Sequence, residues 1–230
     1  MVINTKLGTL LMIEEFLIQL KINGLEFEQI TDELILVKNY ITQDELSKIN
    51  EAIRGTTQKD WETHYMSGVS DFCMLKFGRN DVDNLIAEGK FEITQGWADK
   101  TWSIQDSEVS SSIYNRLSLL LSKYDPSLVL SGLSTIQRLP PGTELKSHVD
   151  QDTDPSIRYA TIIYINDDYS SGEIFFKNLG VALKPKPGDL LFFPGNSEYE
   201  HGVKPVSDGS VRYVMVGFVK EIGFYDRNRY

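Results

Sequence analysis

Only three histidines occur in the 230 residues, and two of them sit in short polar segments of the second half of the chain. His148 lies in Lys146-Ser147-His148-Val149-Asp150 and His201 in Tyr199-Glu200-His201-Gly202. In extended backbone, residues i and i+2 project from the same face, so His148 and Asp150 can offer an imidazole nitrogen and a carboxylate oxygen to one ion. A third ligand must come from elsewhere in the chain, and His201 follows 53 residues later. Two imidazoles and one carboxylate on one side of an ion leave coordination positions open. That ligand set suits iron(II) redox chemistry, and zinc-assisted hydrolysis can use it as well. A lone His-x-Asp is also common in surface loops, so the reading needs a second, independent signal.

Arg212 supplies it. The segment Ser210-Val211-Arg212-Tyr213-Val214-Met215-Val216-Gly217-Phe218-Val219 is apolar on both faces. A guanidinium sharing a face with Val214, Val216 and Phe218 is a buried cation in need of an anion. Arginine grips a carboxylate through two parallel hydrogen bonds, so a bound dicarboxylate would answer that need. A protein carboxylate, or a place at the exposed start of the strand, is the alternative. Tyr164 stands in Tyr159-Ala160-Thr161-Ile162-Ile163-Tyr164-Ile165-Asn166, a strand of core composition, and its hydroxyl needs a partner if buried. The same anion can provide one; ordinary core packing is the other option.

These residues must be positioned by elements of the second half. From Ser134 onward, short β-rich runs alternate with Gly, Pro and Asp punctuation: Ser134 to Leu139, Arg158 to Ile165, Glu173 to Phe176, Asp189 to Phe193 and Val211 to Val219. Turn chemistry at Pro141-Gly142, Ser171-Gly172 and Pro187-Gly188 spaces them as in an all-β sandwich or barrel. The first half is mixed. Leu10, Ile13, Leu17 and Leu20 recur as on an amphipathic helix, and Glu33 to Val37 has strand composition. Thr42 and Glu45 have capping-box spacing ahead of Leu46, Ile49 and Ile53, and a further helix is predicted from about Ser107 to Tyr124. Between Gly55 and Thr101 the period is lost. Trp61, Tyr65, Phe72, Phe77 and Trp97 punctuate that stretch, which reads either as an aromatic lid or as short strands without clear alternation.

Composition bounds the rest. Hydrophobic residues at 41%, aromatic at 11% and charged at 24% describe a soluble globular protein, and the length suits a single domain over residues 1–230. A formal charge of −10 argues against nucleic acid as partner, because such binding draws on Lys and Arg displacing counterions from phosphates. The apolar stretch Leu7 to Leu20 carries Glu14 and Glu15, lacks a signal peptide's basic start and is too short to span a bilayer. No membrane association is expected. The single cysteine, Cys73, cannot form an internal disulfide, which fits a cytoplasmic location.

Taken in order, these segments resemble the prolyl 4-hydroxylase branch of the 2-oxoglutarate oxygenases. The likeness runs from Gln137-Arg138-Leu139-Pro140-Pro141-Gly142 through His148-Val149-Asp150 and Arg158 to Asn166. It continues with Ser171-Gly172-Glu173-Ile174-Phe175-Phe176, Lys186-Pro187-Gly188-Asp189-Leu190-Leu191-Phe192-Phe193 and His201-Gly202-Val203-Lys204-Pro205-Val206, and ends at Arg212-Tyr213. Leu36 to Ile41, leading into the Thr42 helix, is similar to the family's usual entry. The resemblance implies a mainly β fold with flanking helices, a double-stranded β-helix or cupin-like jelly roll over residues 131–222, supported by a mixed region over 1–130. It implies iron(II) held by His148, Asp150 and His201, and 2-oxoglutarate held at its distal carboxylate by Arg212 and Tyr164. Dioxygen would be the oxidant and ascorbate an accessory reductant.

The implied reaction hydroxylates an aliphatic C–H bond while 2-oxoglutarate becomes succinate and carbon dioxide. A prolyl residue in a peptide or protein is the preferred substrate, with a free amino acid or small metabolite, or a non-catalytic metal-binding jelly roll, as alternatives. Demethylation of alkylated nucleic-acid bases fits poorly, given the charge and the absence of a second arginine on the Arg212 strand. One departure stands out. The family often has a tyrosine just before the Pro-Gly turn, and this chain has Leu139 there; Gln137 and Thr135, on the same strand face, are the candidates to replace it.

Overall fold

A computed structural model describes residues 3–66, 96–101, 103–105, 107–122, 126–133, 135–207 and 209–224. The first half supplies helix α1 (Ile3–Ile22), strands β1 (Phe27–Gln29) and β2 (Ile35–Val37), and helix α2 (Gln43–Gly55). Strands β3 (Glu62–Met66) and β4 (Gly96–Thr101) and helix α3 (Glu108–Ser122) follow. The second half runs β5 (Leu128–Ser131), β6 (Ile136–Leu139), β7 (Leu145–His148), a single helical turn α4 (Asp150–Thr153) and β8 (Ile157–Tyr164). It closes with β9 (Ile174–Phe176), β10 (Val181–Leu183), β11 (Leu190–Pro194), β12 (His201–Val203) and β13 (Arg212–Glu221).

All strand pairings are antiparallel, in the order β1-β2-β11-β8-β13-β6-β4-β7-β12-β9-β10, with β5 added on β13 and β3 on β4. Two sheets result, joined through β4, and they form the jelly roll. The larger contains β2, β11, β8, β13 and β6; the smaller contains β7, β12, β9 and β10. Strand alternation sorts the larger sheet's side chains into two cores. Tyr159, Ile163, Leu190, Phe192, Met215 and Val219 face outward and pack with Ile13, Phe16 and Leu20 of α1 and Ile113 and Leu117 of α3. Ala160, Ile162, Tyr164, Leu191, Phe193 and Val214 face inward and meet Ile174 and Phe176 of the smaller sheet.

The helices that cover the outer face form for local reasons. Thr42 caps α2, its hydroxyl accepting from Glu45 N while Glu45 returns a bond to Thr42 N, the reciprocal box read from the sequence. Helix α1 is rotated slightly from the expected face: Ile13, Phe16 and Leu20 are buried and Leu17 packs at the margin, while the side chain of Leu10 lies outside the described residues. Phe16 turns inward because it stacks on Phe192, ring centroids 4.5 Å apart. Among the described residues, no helix is long and apolar enough to cross a membrane.

The stretch without sequence period begins and ends as the paired strands β3 and β4, with Tyr65 opposite Trp97. Trp61 is buried under Arg138, whose guanidinium sits 4.2 Å from a ring centroid, and packs beside Tyr213. It therefore belongs to the wall of the roll rather than to a lid. Phe72, Cys73 and Phe77 lie outside the described residues.

Candidate metal centre

His148 ends β7 and His201 begins β12, and antiparallel pairing sets the two residues directly opposite each other. Their ring centroids are 4.5 Å apart. Each Nδ1 lies at hydrogen-bond distance from the backbone carbonyl two residues earlier: Lys146 at 2.9 Å for His148, Tyr199 at 3.0 Å for His201. A carbonyl only accepts, so each Nδ1 carries the proton and each Nε2 keeps its lone pair, the tautomer a metal ligand needs. Val149 keeps extended backbone (φ −114°, ψ 125°), which holds Asp150 on the side of His148 even though Asp150 already opens the turn α4. The potential ligand atoms of His148, Asp150 and His201 all lie within 4.8 Å of one another.

Close packing fixes these positions. A Cβ added at Gly202 would stand 2.5 Å from the carbonyl oxygen of Leu145 and 2.7 Å from the Phe175 ring, so only glycine lets β12 slip between β7 and β9 beside His201. Phe193 meets the His201 ring edge-on at 4.8 Å, and Phe176 lies 5.8 Å away. Glu200 accepts from Ser147 and from Lys177, tying β7 and the end of β9 to the residue before His201.

The electrostatics favour a cation at this point. Burial pushes the Asp150 carboxyl up to about 6, with His148 pulling the other way. Burial drives His201 down to about 3, helped by His148 and opposed by its bond to the Tyr199 carbonyl. Asp150 Oδ2 is buried and lacks a hydrogen-bond partner among the described residues. A divalent ion would satisfy that oxygen, restore the carboxylate and use both imidazole lone pairs, so the residues present fit an N,N,O-bound metal.

Arg212 opens β13 opposite Leu139 and is only 2% exposed. Its side chain shares the inward face with Val214, which pairs with Tyr164. Arg212 Nη2 donates to the Tyr164 hydroxyl at 3.3 Å, and the guanidinium carbon lies 5.1 Å from that ring's centroid. Its Nε is buried without a partner, and among the described residues no carboxylate pairs with it. Tyr164 is fully buried; desolvation lifts its pKa and Arg212 works against that.

Of the candidates to replace the tyrosine absent at position 139, Gln137 is buried on the inward face opposite Val214. The Thr135 hydroxyl instead donates to the Gly132 carbonyl within its own turn. Sequence reasoning missed Tyr169, which is 2% exposed and has a buried hydroxyl close enough to Arg212 to feel its charge. The signal was weak: an aromatic residue in a polar loop, five positions after Tyr164.

The antiparallel roll thus brings a His-x-Asp and a distant His together at strand ends as a group that could hold a metal ion, with a buried arginine on the inner face. Residues 134–220 match the family model of the 2OG-Fe(II) oxygenase superfamily. The matched segment contains all five residues singled out above.

Among curated proteins, 65 residues are 38% identical to prolyl 3-hydroxylase 2 of Homo sapiens and 34% identical to that of Gallus gallus. These matches cover 26% of this chain and 9% of the relatives' length. Among solved structures, the chain is similar to a prolyl hydroxylase from Trichoplax adhaerens in complex with a hypoxia inducible factor oxygen degradation domain peptide fragment. The TM-score is 0.59 at 15% identity, over 95% of this chain and 90% of the other. A Pseudomonas putida prolyl-4-hydroxylase gives 0.53 at 16% identity, over 82% and 92%. At such identities the two structures speak to the fold, and the fold they share is the jelly roll.

Proposed function

We propose that the chain acts as an iron(II) and 2-oxoglutarate dependent dioxygenase that hydroxylates an aliphatic C–H bond of a prolyl residue in a peptide or protein. In this reading residues 1–230 work as one oxygenase domain, with 1–130 as support and 131–222 carrying the site. The observation that carries it is Arg212: a buried guanidinium with no carboxylate partner among the described residues, on the inner face of a roll that also holds three convergent metal-ligating side chains. A small dicarboxylate able to reach a metal answers both features.

His148, Asp150 and His201 would hold iron(II), with Asp150 ionised and both imidazoles neutral. Arg212 and Tyr164 would bind the distal carboxylate of 2-oxoglutarate and so orient the keto acid toward the ligand set. When bound, iron(II) with dioxygen supplies the oxidation, in which 2-oxoglutarate leaves as succinate and carbon dioxide and one oxygen atom enters the substrate. The Nδ1 bonds to the Lys146 and Tyr199 carbonyls keep the imidazoles from rotating. Phe176 and Phe193 exclude water from the His201 side. No protein group needs to act as general acid or base.

The proline preference rests on the relatives, which are prolyl hydroxylases, and on a net charge of −10 that suits a neutral or basic peptide. The test starts with anaerobic titration by iron(II) and 2-oxoglutarate, followed by oxygen and a proline-rich peptide. A metal-to-ligand charge-transfer band, peptide-stimulated succinate and a mass gain of one oxygen are expected. Absence of the band overturns the oxygenase reading; a band without peptide stimulation overturns the prolyl substrate alone.

A further inference from the structure

Tyr169 stands in the loop between β8 and β9, and the fold treats it as core. It packs with Ala98, Leu139, Leu145, Val203 and Val206. Two neighbours hold it in place. Lys184 Nζ donates to the Tyr169 carbonyl and lies 4.5 Å from its ring centroid. Gly172 adopts φ +68°, and a Cβ there would stand 3.1 Å from ring atoms Cδ2 and Cε2 of Tyr169. The ring is thus clamped, and the hydroxyl has a fixed place.

That hydroxyl is buried without a well-aligned partner, and the polar group within its reach, the Arg212 guanidinium, can only donate to it, so its O–H has no acceptor among the described residues. A buried donor left unmade is unfavourable, so such groups in native proteins point to a ligand that completes them. The nearby charge is Arg212: burial lifts the Tyr169 phenol to about 12, and the first influence opposing it is the Arg212 guanidinium. Arg212 has its own unsatisfied Nε and also reaches the Tyr164 hydroxyl. Two phenols from separate elements therefore lie beside the Arg212 guanidinium, itself from a third. A carboxylate has two oxygens and about four acceptor positions, enough to receive a guanidinium and two phenols together. Leu139 offers no donor, and it packs beside Tyr169.

Resting on the 2-oxoglutarate reading above, we propose that Tyr169 is a third arm of the carboxylate site, donating its O–H to the distal carboxylate of 2-oxoglutarate from a loop rather than from the strand that carries Leu139. Tyr169 then also discriminates between keto acids. It favours those with a second carboxylate and gives nothing to 2-oxopentanoate, in which a methyl group replaces that carboxylate.

The test is Tyr169→Phe, which keeps the ring and removes only the hydroxyl. Calorimetric titration of the manganese(II)-loaded, oxygen-free protein measures keto-acid binding without turnover. For 2-oxoglutarate the Kd rises roughly tenfold or more, as for loss of a hydrogen bond to a charged group. For 2-oxopentanoate it stays unchanged, so the preference between the two narrows. The melting temperature of the ligand-free variant equals or exceeds that of the parent protein, since an unpartnered buried hydroxyl has been removed. Equal 2-oxoglutarate affinity in variant and parent overturns the proposal. So does equal weakening of both keto acids with a lower melting temperature, which marks a packing role. Failure of the parent protein to bind 2-oxoglutarate overturns the underlying reading instead, and the titration separates the two failures.

Discussion

Arg116 and Arg212 lie on opposite sides of the same fold and are handled in opposite ways. Arg116, on helix α3 outside the larger sheet, donates through both terminal nitrogens to Glu45, donates again to the Tyr40 carbonyl, and lies over the Tyr40 ring. Glu45 in turn accepts from Ser112 and closes the cap of α2; against burial, which raises it, the bond from Arg116 first and then the cap and Ser112 bonds hold its carboxyl below the ordinary range. Arg212, inside the roll, is more deeply buried and donates to the Tyr164 hydroxyl rather than to a carboxylate. A structural arginine brings its own carboxylate. Arg212 leaves that position to a ligand, as Asp150 Oδ2 and the Tyr169 hydroxyl do. The Nε of each arginine lacks a hydrogen-bond partner among the described residues, so the contrast lies in the carboxylate: the chain supplies one to Arg116 and leaves that of Arg212 to what it binds.

The strongest way to break this contrast is Asp150→Ala. Succinate formation should be abolished, because the only carboxylate of the ligand set is gone, while the metal-free protein gains stability. The sign follows from burial. Asp150 titrates near 6 in the fold and near 3.8 when unfolded, so its protonated form favours folding, a contribution present below about pH 4 and lost as pH rises through 6. Above that window the ionised, buried carboxylate destabilises the metal-free protein. In chelator at pH 7.5 the variant should therefore melt higher than the parent, and the gap should close toward pH 4. Retained iron-dependent turnover, or a variant less stable at pH 7.5, would contradict the inner-face account.

The mirror experiment is Phe192→Ala on the outer face. Phe192 is fully buried between Phe16 at 4.5 Å and Tyr159 at 4.7 Å. Removing the ring should cost about 3–5 kcal/mol in urea-melt stability, the range for large-to-small changes in a core. The Kd for 2-oxoglutarate of the remaining folded protein should stay the same. A change in that Kd comparable to the loss of stability would show that the two faces are not independent.

Much of the inner face is legible in the sequence because its chemistry breaks the local pattern. Arg212 is a charge in an apolar strand, and His148 and Asp150 keep a two-residue period that extended Val149 preserves through the start of α4. The pairing that brings His201 opposite His148 was not legible: β12 has three residues, and Leu145–His148 alternates too briefly to be read as a strand. Tyr169 was missed for a related reason. A loop residue has no period, and its burial depends on Lys184 and Gly172, contacts set by tertiary packing. Strands β3 and β4 likewise owe their conformation to each other, and β4 also to β6, more than to any alternation of their own.

The smallest expected effect sharpens the comparison from the outside. Thr42 contributes only a cap: its hydroxyl accepts from Glu45 N, and Glu45 answers with a bond to Thr42 N. Thr42→Ala should cost about 1 kcal/mol, the usual value of an N-cap. Glu45 would keep its bidentate pairing with Arg116, so the carboxylate stays satisfied and α2 stays docked on α3. Chemical denaturation should show that loss, with an unchanged 2-oxoglutarate Kd and an unchanged rate of succinate formation. A larger loss, of the size expected for a buried ion pair that has lost a partner, would mean that the cap and the Arg116–Glu45 pair act as one unit. The outer layer would then depend on a single shared network of polar contacts, and its independence from the site would rest on that network rather than on apolar packing alone.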